Sequence, residues 1–372
     1  MRVTVLGAGR IGATIARDLA RDYHVTVADR DRRRLDMLER ESGFVVKETE
    51  LADPERIGEV VARADLVIGA VPGHMGFATL RHVIDAGKNI VDISFFAEDA
   101  LELDERARQA GVTAVVDCGV APGLSNIVLG RMHEHLDDVA TFTCYVGGLP
   151  QRREPPWEYQ APFSPIDVIE EYTRPARLVR DGEILTLPAL SERELVDFDG
   201  VGTLEAFNTD GLRSLIRTMR IPNMQEKTLR YPGHIEKIVT LRDAGLFGRR
   251  KVRVGDQMVR PIDLTAELLM KQWVQREGDR DLTVMRMVVE GRKNGKAVRR
   301  QFDLLDYYDE ATGTTSMART TGYTCAVVAR LVLQGTYRRP GVSPPEFVGA
   351  SSECHDIVLQ QLATRGVELV SG

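Results

Sequence analysis

The stretch 3-VTVLGAGRIG-12 decides the fold. Val3 and Val5 belong to a short apolar run that closes on Gly7. Ile11, Ile15 and Leu19 then recur every fourth residue, which is the spacing of one helix face. The stretch therefore reads as strand, tight turn, helix. Gly7, Gly9 and Gly12 fall on the turn as GxGxxG, in the context a dinucleotide-binding turn requires. Gly7 is expected to make the turn. Gly9 lets backbone approach a pyrophosphate, and Gly12 lets the helix pack close to the strand. Arg10 and Ile11 open the helix, so their amides lie at its positive end, where a phosphate binds.

Working outward, 24-HVTVAD-29 is the next strand. Asp29 ends it, seventeen residues after Gly12, where a carboxylate holds the ribose hydroxyls of an adenosine. That residue favours NAD, because it would repel a 2′-phosphate. Arg30, Arg32, Arg33 and Arg34 follow. They form either a solvated helix face or, for Arg30, a group that stacks on adenine or tolerates NADP. The runs FVVKE, ADLVIGAVP, NIVDIS and VTAVVDCG supply four further strands, with helical stretches between them. Asp53-Pro54 is a helix cap followed by a first-turn proline. Six strands with intervening helices imply an α/β, doubly wound parallel sheet of the Rossmann type. Val71 and Pro72, and Ser94 after the fifth strand, then lie at the carboxyl edge of the sheet, where the nicotinamide ribose is expected.

The remainder changes character. Pro122 to Leu136 reads as a helix leaving the sheet. ARLV-RDG-EILTL and TVMRMVVEG-RKNG-KAVRRQFDLL read as hairpins, the second around an Asn-Gly turn. A proline-rich loop, PPWEYQAPFSP, lies before them. This is an α+β domain with a mixed or antiparallel sheet. The boundaries expected are 1–121 for the dinucleotide-binding domain and 122–314 for the substrate and dimerisation domain. A helical segment, 315–372, returns to the first domain.

Composition sets limits. The chain has 372 residues, long enough for two domains, and a net charge of −6 without a long basic block. That argues against a nucleic-acid partner. No run reaches the roughly 18 apolar residues of a membrane span. Met1 leads straight into a strand, which leaves no room for a secretory signal, and the four cysteines make no CxxC pair. A cytoplasmic protein is the expectation. His133-Glu134-His135 lacks the HExxH spacing, so no metal is expected.

The strings GAGRIG, AVPGHMGF, VDISFF, DCGVAPGLSN, YVGGLP, FSPIDVIEEYTRPARLVR, TDGLRS and TLRYPGHIEKI resemble the saccharopine dehydrogenase-like oxidoreductases, and within them the lysine 6-dehydrogenase branch. The resemblance covers nearly the whole chain. It implies a nicotinamide cofactor, a homodimer, and oxidation at a carbon bearing nitrogen. The lysine branch implies conversion of the ε-amine of L-lysine to 2-aminoadipate 6-semialdehyde with release of ammonia. The product would cyclise to piperideine-6-carboxylate. Two rival readings stand beside it: a saccharopine or carboxynorspermidine dehydrogenase-type reductase, and a regulatory protein that senses NAD(H) without turnover.

An amino acid substrate needs its carboxylate held, and amine oxidation needs a base. Arg230, Tyr231, His234 and Lys237 cluster around Pro232-Gly233. With Gly233 as the cap of a helix from His234, Arg230 is expected to clamp the substrate carboxylate, with Tyr231 beside it. His234 is expected to face outward at the positive helix end as a neutral base, with Lys237 next in line. Ile235, Ile238 and Leu241 are expected to anchor that helix. Asp117 either faces the substrate ammonium or caps the helix near Pro122. Asp210 and Arg213 form a polar turn, where Arg213 is a carboxylate clamp or a surface ion pair. Cys118 reads as a small packed residue, since amine oxidation forms no thioester.

Overall fold

A computed structural model of the protein describes residues 1–41, 43–161, 165–276 and 278–372. The chain divides into two compact units. Unit 1 comprises Met1–Val139, Gly291–Val298 and Met317–Leu369, and unit 2 comprises Ala140–Glu290, Arg299–Ser316 and Val370–Gly372.

In unit 1 the strands are β1 (Arg2–Leu6), β2 (His24–Asp29), β3 (Phe44–Glu48), β4 (Leu66–Gly69), β5 (Asn89–Asp92) and β6 (Thr113–Val115). A seventh strand, Gly341–Ser343, completes a sheet ordered Gly341–Ser343, β6, β5, β4, β1, β2, β3. Every neighbouring pair is parallel. The chain builds outward from β1 to β3, then returns to place β4 on the other side of β1. The carboxyl ends of β1 and β4 therefore flank the switch point where ligands bind in such sheets. All four residues of β4 are buried, as suits a strand covered on both faces. The seventh strand comes from the segment read as purely helical. It is only Gly-Val-Ser, too short to show a period.

Helix Ser316–Gln334 lies against the first helix, Arg10–Leu19. A Cβ on Gly322 would stand 3.3 Å from Thr14 Cγ2. Asp18, 1% exposed, anchors the layer. Its carboxylate accepts from Arg330 Nη1 at 2.5 Å and from Arg365 Nε at 2.9 Å. A lone buried carboxylate would cost several kcal/mol, and two guanidiniums offset that.

Unit 2 holds a nine-stranded mixed sheet. Its main path runs Glu194–Phe198, Gly202–Asn208, Asn223–Arg230, Asp138–Pro150, Asp281–Lys293, Lys296–Tyr307 and Leu369–Ser371. Asn223–Arg230 pairs parallel with Asp138–Pro150 and antiparallel with Gly202–Asn208. Both expected hairpins form, Ala176–Arg180 with Glu183–Leu187 and Asp281–Lys293 with Lys296–Tyr307. Asn294 and Gly295 have φ of 52° and 73°, the two positive values a two-residue type I′ turn demands. Helix His234–Asp243 is capped by Gly233. Ile235 and Ile238 are buried, but Leu241 is only partly so.

Candidate active site and cofactor turn

The cofactor turn is built by backbone. Gly7 has φ 114°, and a Cβ there would stand 2.3 Å from Ala70 O, just past β4. A Cβ on Gly12 would stand 2.1 Å from Gly7 O. Neither position admits a side chain. A Cβ on Gly9 would meet nothing nearer than Arg34 Nη1 at 4.0 Å. Space therefore opens where a pyrophosphate is expected. Gly9 caps the first helix and offers no side chain to its first-turn amides, where Arg10 and Ile11 stand. That arrangement fits a phosphate group.

Asp29 sits beside this turn, 8% exposed. Its Oδ2 accepts from Ala8 N at 2.6 Å and its Oδ1 from Asp31 N at 2.8 Å. A carboxylate has about four lone-pair sites, so the two that remain suit a ribose diol. Arg30 is exposed and lines a cleft of about 780 Å³ with Lys47, Glu48, Thr49, Arg56 and Glu59. Cations and acids alternate around that cleft. Val71 is buried, and Pro72 caps the helix Gly73–Asp85. Ser94 is buried next to Asp92, donating from N at 2.8 Å and from Oγ at 3.3 Å.

Asp117 lies just beyond β6, buried, with φ 52°. It does not cap the following helix, Leu124–His135, whose cap is Gly123. A buried non-glycine residue in the left-handed region marks stored strain. The adjacent Cys118 thiol is pushed up by burial and then by Asp117 and Asp92. It stays a thiol, in keeping with a packing role.

The Arg230 cluster in unit 2 differs from the outward-facing clamp and base of the sequence reading. Arg230 is 2% exposed and His234 1%. The guanidinium donates from Nε to Tyr172 Oη at 3.0 Å, and from Nη1 to Leu229 O at 2.9 Å. From Nη2 it reaches Glu171 Oε2 at 2.7 Å and Tyr159 Oη at 3.4 Å. It also stacks 4.4 Å from the Tyr159 ring. Glu171 thus already occupies the place of a clamped carboxylate. His234 Nδ1 lies 2.9 Å from Trp157 O. A carbonyl only accepts, so Nδ1 carries the proton and Nε2 accepts from Tyr172 Oη at 3.0 Å. Each hydroxyl and ring proton then has one direction: Arg230 to Tyr172 to His234 to Trp157.

The electrostatics follow from burial. Desolvation, then the Arg230 charge, pushes the His234 imidazole down to about 3. It is neutral at physiological pH, but far too weak a base to compete for a proton there. Burial likewise lifts the Tyr172 phenol to about 12, so it remains a hydroxyl. Burial opposes the Arg230 charge, and the oxygens of Tyr159, Tyr172 and Glu171 more than offset it, so its pKa rises. Trp273, 0% exposed, closes the cluster with its ring 5.4 Å from Tyr159 and 6.1 Å from His234.

The remaining candidates disperse within unit 2. Lys237 Nζ donates to Gly233 O at 3.0 Å. Tyr231 is buried and donates to Pro150 O at 2.9 Å, with Arg153 stacked 4.6 Å from its ring. Asp210 accepts two hydrogen bonds from the Arg177 guanidinium, at 2.8 and 2.9 Å. Arg213 is buried with φ 51°, which for a long side chain is a sharper outlier than the same angle at an aspartate.

Sequence reasoning missed Trp157, Tyr159, Glu171, Tyr172 and Trp273. Trp157 and Tyr159 lie in PPWEYQAPFSP, read as a connecting loop, of which Pro162, Phe163 and Ser164 lie outside the described residues. The available signal was the concentration of aromatics in a loop, which solvent exposure alone does not favour. Among the described residues, no group of His, Cys, Asp and Glu could hold a metal ion, and no helix is long and apolar enough to cross a membrane.

A glycine turn at the switch point of a parallel sheet, with an acid ending the second strand, defines a dinucleotide-binding domain. The NADP binding domain model of saccharopine dehydrogenase matches residues 3–115, and the saccharopine dehydrogenase C-terminal domain model matches residues 119–367. The chain belongs to the saccharopine dehydrogenase family. The saccharopine dehydrogenase (NADP(+), L-glutamate-forming) of Saccharomyces cerevisiae is 23% identical over 434 residues, covering 97% of this chain and 96% of the relative. The carboxynorspermidine synthase of Vibrio cholerae is 21% identical over 384 residues, covering 92% and 91%. The solved apo structure of histidine-tagged saccharopine dehydrogenase (L-Glu forming) from S. cerevisiae aligns with a TM-score of 0.81 at 20% identity, over 100% of this chain and 99% of that one. It has the same α/β fold.

Proposed function

We propose that this protein oxidises the ε-carbon of L-lysine with NAD, giving 2-aminoadipate 6-semialdehyde and ammonia. Family membership supports an oxidoreductase of amino acid metabolism. One observation in unit 2 favours a substrate with few carboxylates. Four of its cations already face acids of the same unit: Arg230 faces Glu171, Arg177 faces Asp210, Lys227 faces Glu194 and Arg180 faces Glu192. A substrate with several carboxylates that used these four cations would have to displace the acids paired with them. Lysine brings one carboxylate to be held, beside its α-ammonium and the reacting ε-amine.

A nicotinamide cofactor, when bound, would supply the hydride acceptor. The chain's own residues bind, orient and move protons. The glycine turn and the helix amides would hold the pyrophosphate, and Asp29 would hold the ribose diol. Asp117, strained at the carboxyl edge of the sheet, is the proposed partner of the reacting ammonium. An acid at that place takes the proton the amine must lose and favours the cation that forms at the carbon. Arg230 and His234 position Tyr172 and the helix His234–Asp243 rather than exchange protons with substrate. Overall, lysine, water and NAD give aldehyde, ammonium, NADH and one proton, in which atoms and charge balance. Asp29 supports NAD over NADP. The NADP dependence named for the yeast relative marks the opposite choice in that protein.

A second reading rests on that relative, which aligns with 97% of this chain: reduction or oxidation of a secondary amine, as in saccharopine or carboxynorspermidine. A screen of L-lysine, saccharopine and carboxynorspermidine with NAD and NADP, followed by NAD(P)H absorbance, separates the readings. Turnover of lysine with NAD supports the proposal. Turnover only of the secondary amines favours the second reading, and tight NAD(H) binding without turnover of any favours a sensor.

A further inference from the structure

The four arginines that follow Asp29 do not share one environment. In helix Arg32–Glu39 the buried residues are Leu35 and Leu38. At about 100° per residue, Arg32 and Arg34 fall on opposite margins of that buried stripe, and Arg33 points away from it. Arg32 is held within the helix, donating from Nε to Asp36 Oδ1 at 2.7 Å and pairing with Glu39 as well. Arg30 lines the cleft with Lys47 and Glu48. Arg34 reaches the glycine turn instead. Its Nη1 stands 4.0 Å from the place a Cβ on Gly9 would take. Chain neighbours aside, Gly9 meets no other described atom within that distance.

The residues around Asp29 set that reach. The Asp29 carboxylate accepts from Asp31 N at 2.8 Å. Asp31 Oδ1 accepts from Arg33 N at 3.0 Å, as the cap of the helix. Asp31 Oδ2 stands 3.4 Å from Arg34 Nε. The acid suited to the ribose diol, the acid that caps the helix and the guanidinium beside Gly9 are thus one linked unit. The Arg34 and Asp31 side chains are 53% and 39% exposed, and an exposed pair of this kind holds loosely. It leaves the Nη groups of Arg34 unpaired among the described residues. The space above Gly9 therefore has helix amides on one side and guanidinium N–H groups on the other. Both are donors, and a guanidinium fork matches the oxygens of a phosphate.

We propose that Arg34 closes the glycine turn from its open side and donates to the pyrophosphate of the dinucleotide, with Asp31 as the residue that positions it. The proposal rests on the dinucleotide reading of the turn and not on lysine as substrate. Calorimetric titration of the full-length chain with NAD, ADP, adenosine and NADP, without substrate, tests it. Arg34→Gln should weaken NAD and ADP by about tenfold each, and adenosine, which has no phosphate, by less than about twofold. NADP should lose as much as NAD. Arg32→Gln removes the same charge from the same helix and should move none of the four. Ligand-free Arg34→Gln should melt with the wild type, since the side chain is half exposed. Unmoved NAD and ADP affinities in Arg34→Gln would overturn the proposal. So would an equal loss of adenosine, which would place Arg34 against the nucleoside or in the fold. A loss confined to NADP would also overturn it, and would make Arg34 the reader of a 2′-phosphate. Equal losses in Arg32→Gln would reduce the contact to a general field and overturn it too. A wild type that prefers NADP would contradict the choice of NAD above, whereas the contrast between ADP and adenosine decides Arg34 in either case.

Discussion

The glycine turn of unit 1 and the Arg230 cluster of unit 2 achieve precision by opposite means. Gly7, Gly9 and Gly12 lie within six residues and act through backbone, by what they lack. The cluster draws Trp157, Tyr159, Glu171, Tyr172, Arg230, His234 and Trp273 from separate segments, and acts through side chains that partner one another, except for the buried Trp273 indole N–H. The turn is open where a ligand is expected, and the cluster is buried apart from the partly exposed Glu171. The difference teaches that polar side chains gathered in a buried place need not be reagents. Here each donor in the chain from Arg230 to Trp157 meets an acceptor already in the protein.

The largest expected effect sharpens the backbone side of the comparison. Gly12→Val should destabilise unit 1 by on the order of 4 kcal/mol, the upper range for overpacking, because its Cβ has backbone oxygen at 2.1 Å. Gly9→Ala should fold normally and lose cofactor affinity, since its Cβ fills only the space a phosphate needs. Thermal melts with and without NAD read both. Equal stability losses in the two variants would remove the distinction.

Next, Arg230→Ala should cost about 3 kcal/mol, the lower end for breaking a buried ion pair, because the Glu171 side chain is 20% exposed. Arg230→Lys should not rescue it, as one ammonium cannot serve the four acceptors of the guanidinium fork. Denaturant unfolding measures this. A variant of wild-type stability with only a raised KM would return Arg230 to the role of substrate clamp.

A smaller, pH-dependent effect separates structure from catalysis at His234. Its folded pKa of about 3 lies below the ordinary 6.5, so the unfolded chain takes up the proton first. The stabilisation is complete above pH 6.5 and is lost as pH falls toward 3, at up to about 1.4 kcal/mol per pH unit. His234→Gln should flatten that part of the stability profile. It should leave the near-neutral limbs of the kcat/KM profile in place. Disappearance of a near-neutral limb in the variant would show that His234 titrates as a catalytic base.

How much was legible follows from the same contrast. The parallel sheet could be read because each of its first six strands carries its own apolar run and turn. Asp29 could be read because its place depends on chain spacing alone. The strand Gly341–Ser343 has too few residues for a period. The burial of His234 was illegible for a physical reason. A helix N-terminus looks solvent-facing from its own sequence, and it is the distant Trp157–Tyr159 loop, Tyr172 and Trp273 that cover it. Glu171 likewise sits 59 residues before Arg230, so no local spacing reveals that the guanidinium is already matched.

The central claim is oxidation at the ε-carbon of lysine, and isotope placement tests it directly. Lysine carrying heavy nitrogen only at the ε-position is incubated with the protein and NAD. The account predicts labelled ammonia in step with NADH, and an unlabelled cyclic imine that keeps its α-nitrogen. Unlabelled ammonia with a 2-oxo acid that retains the heavy ε-nitrogen would contradict it.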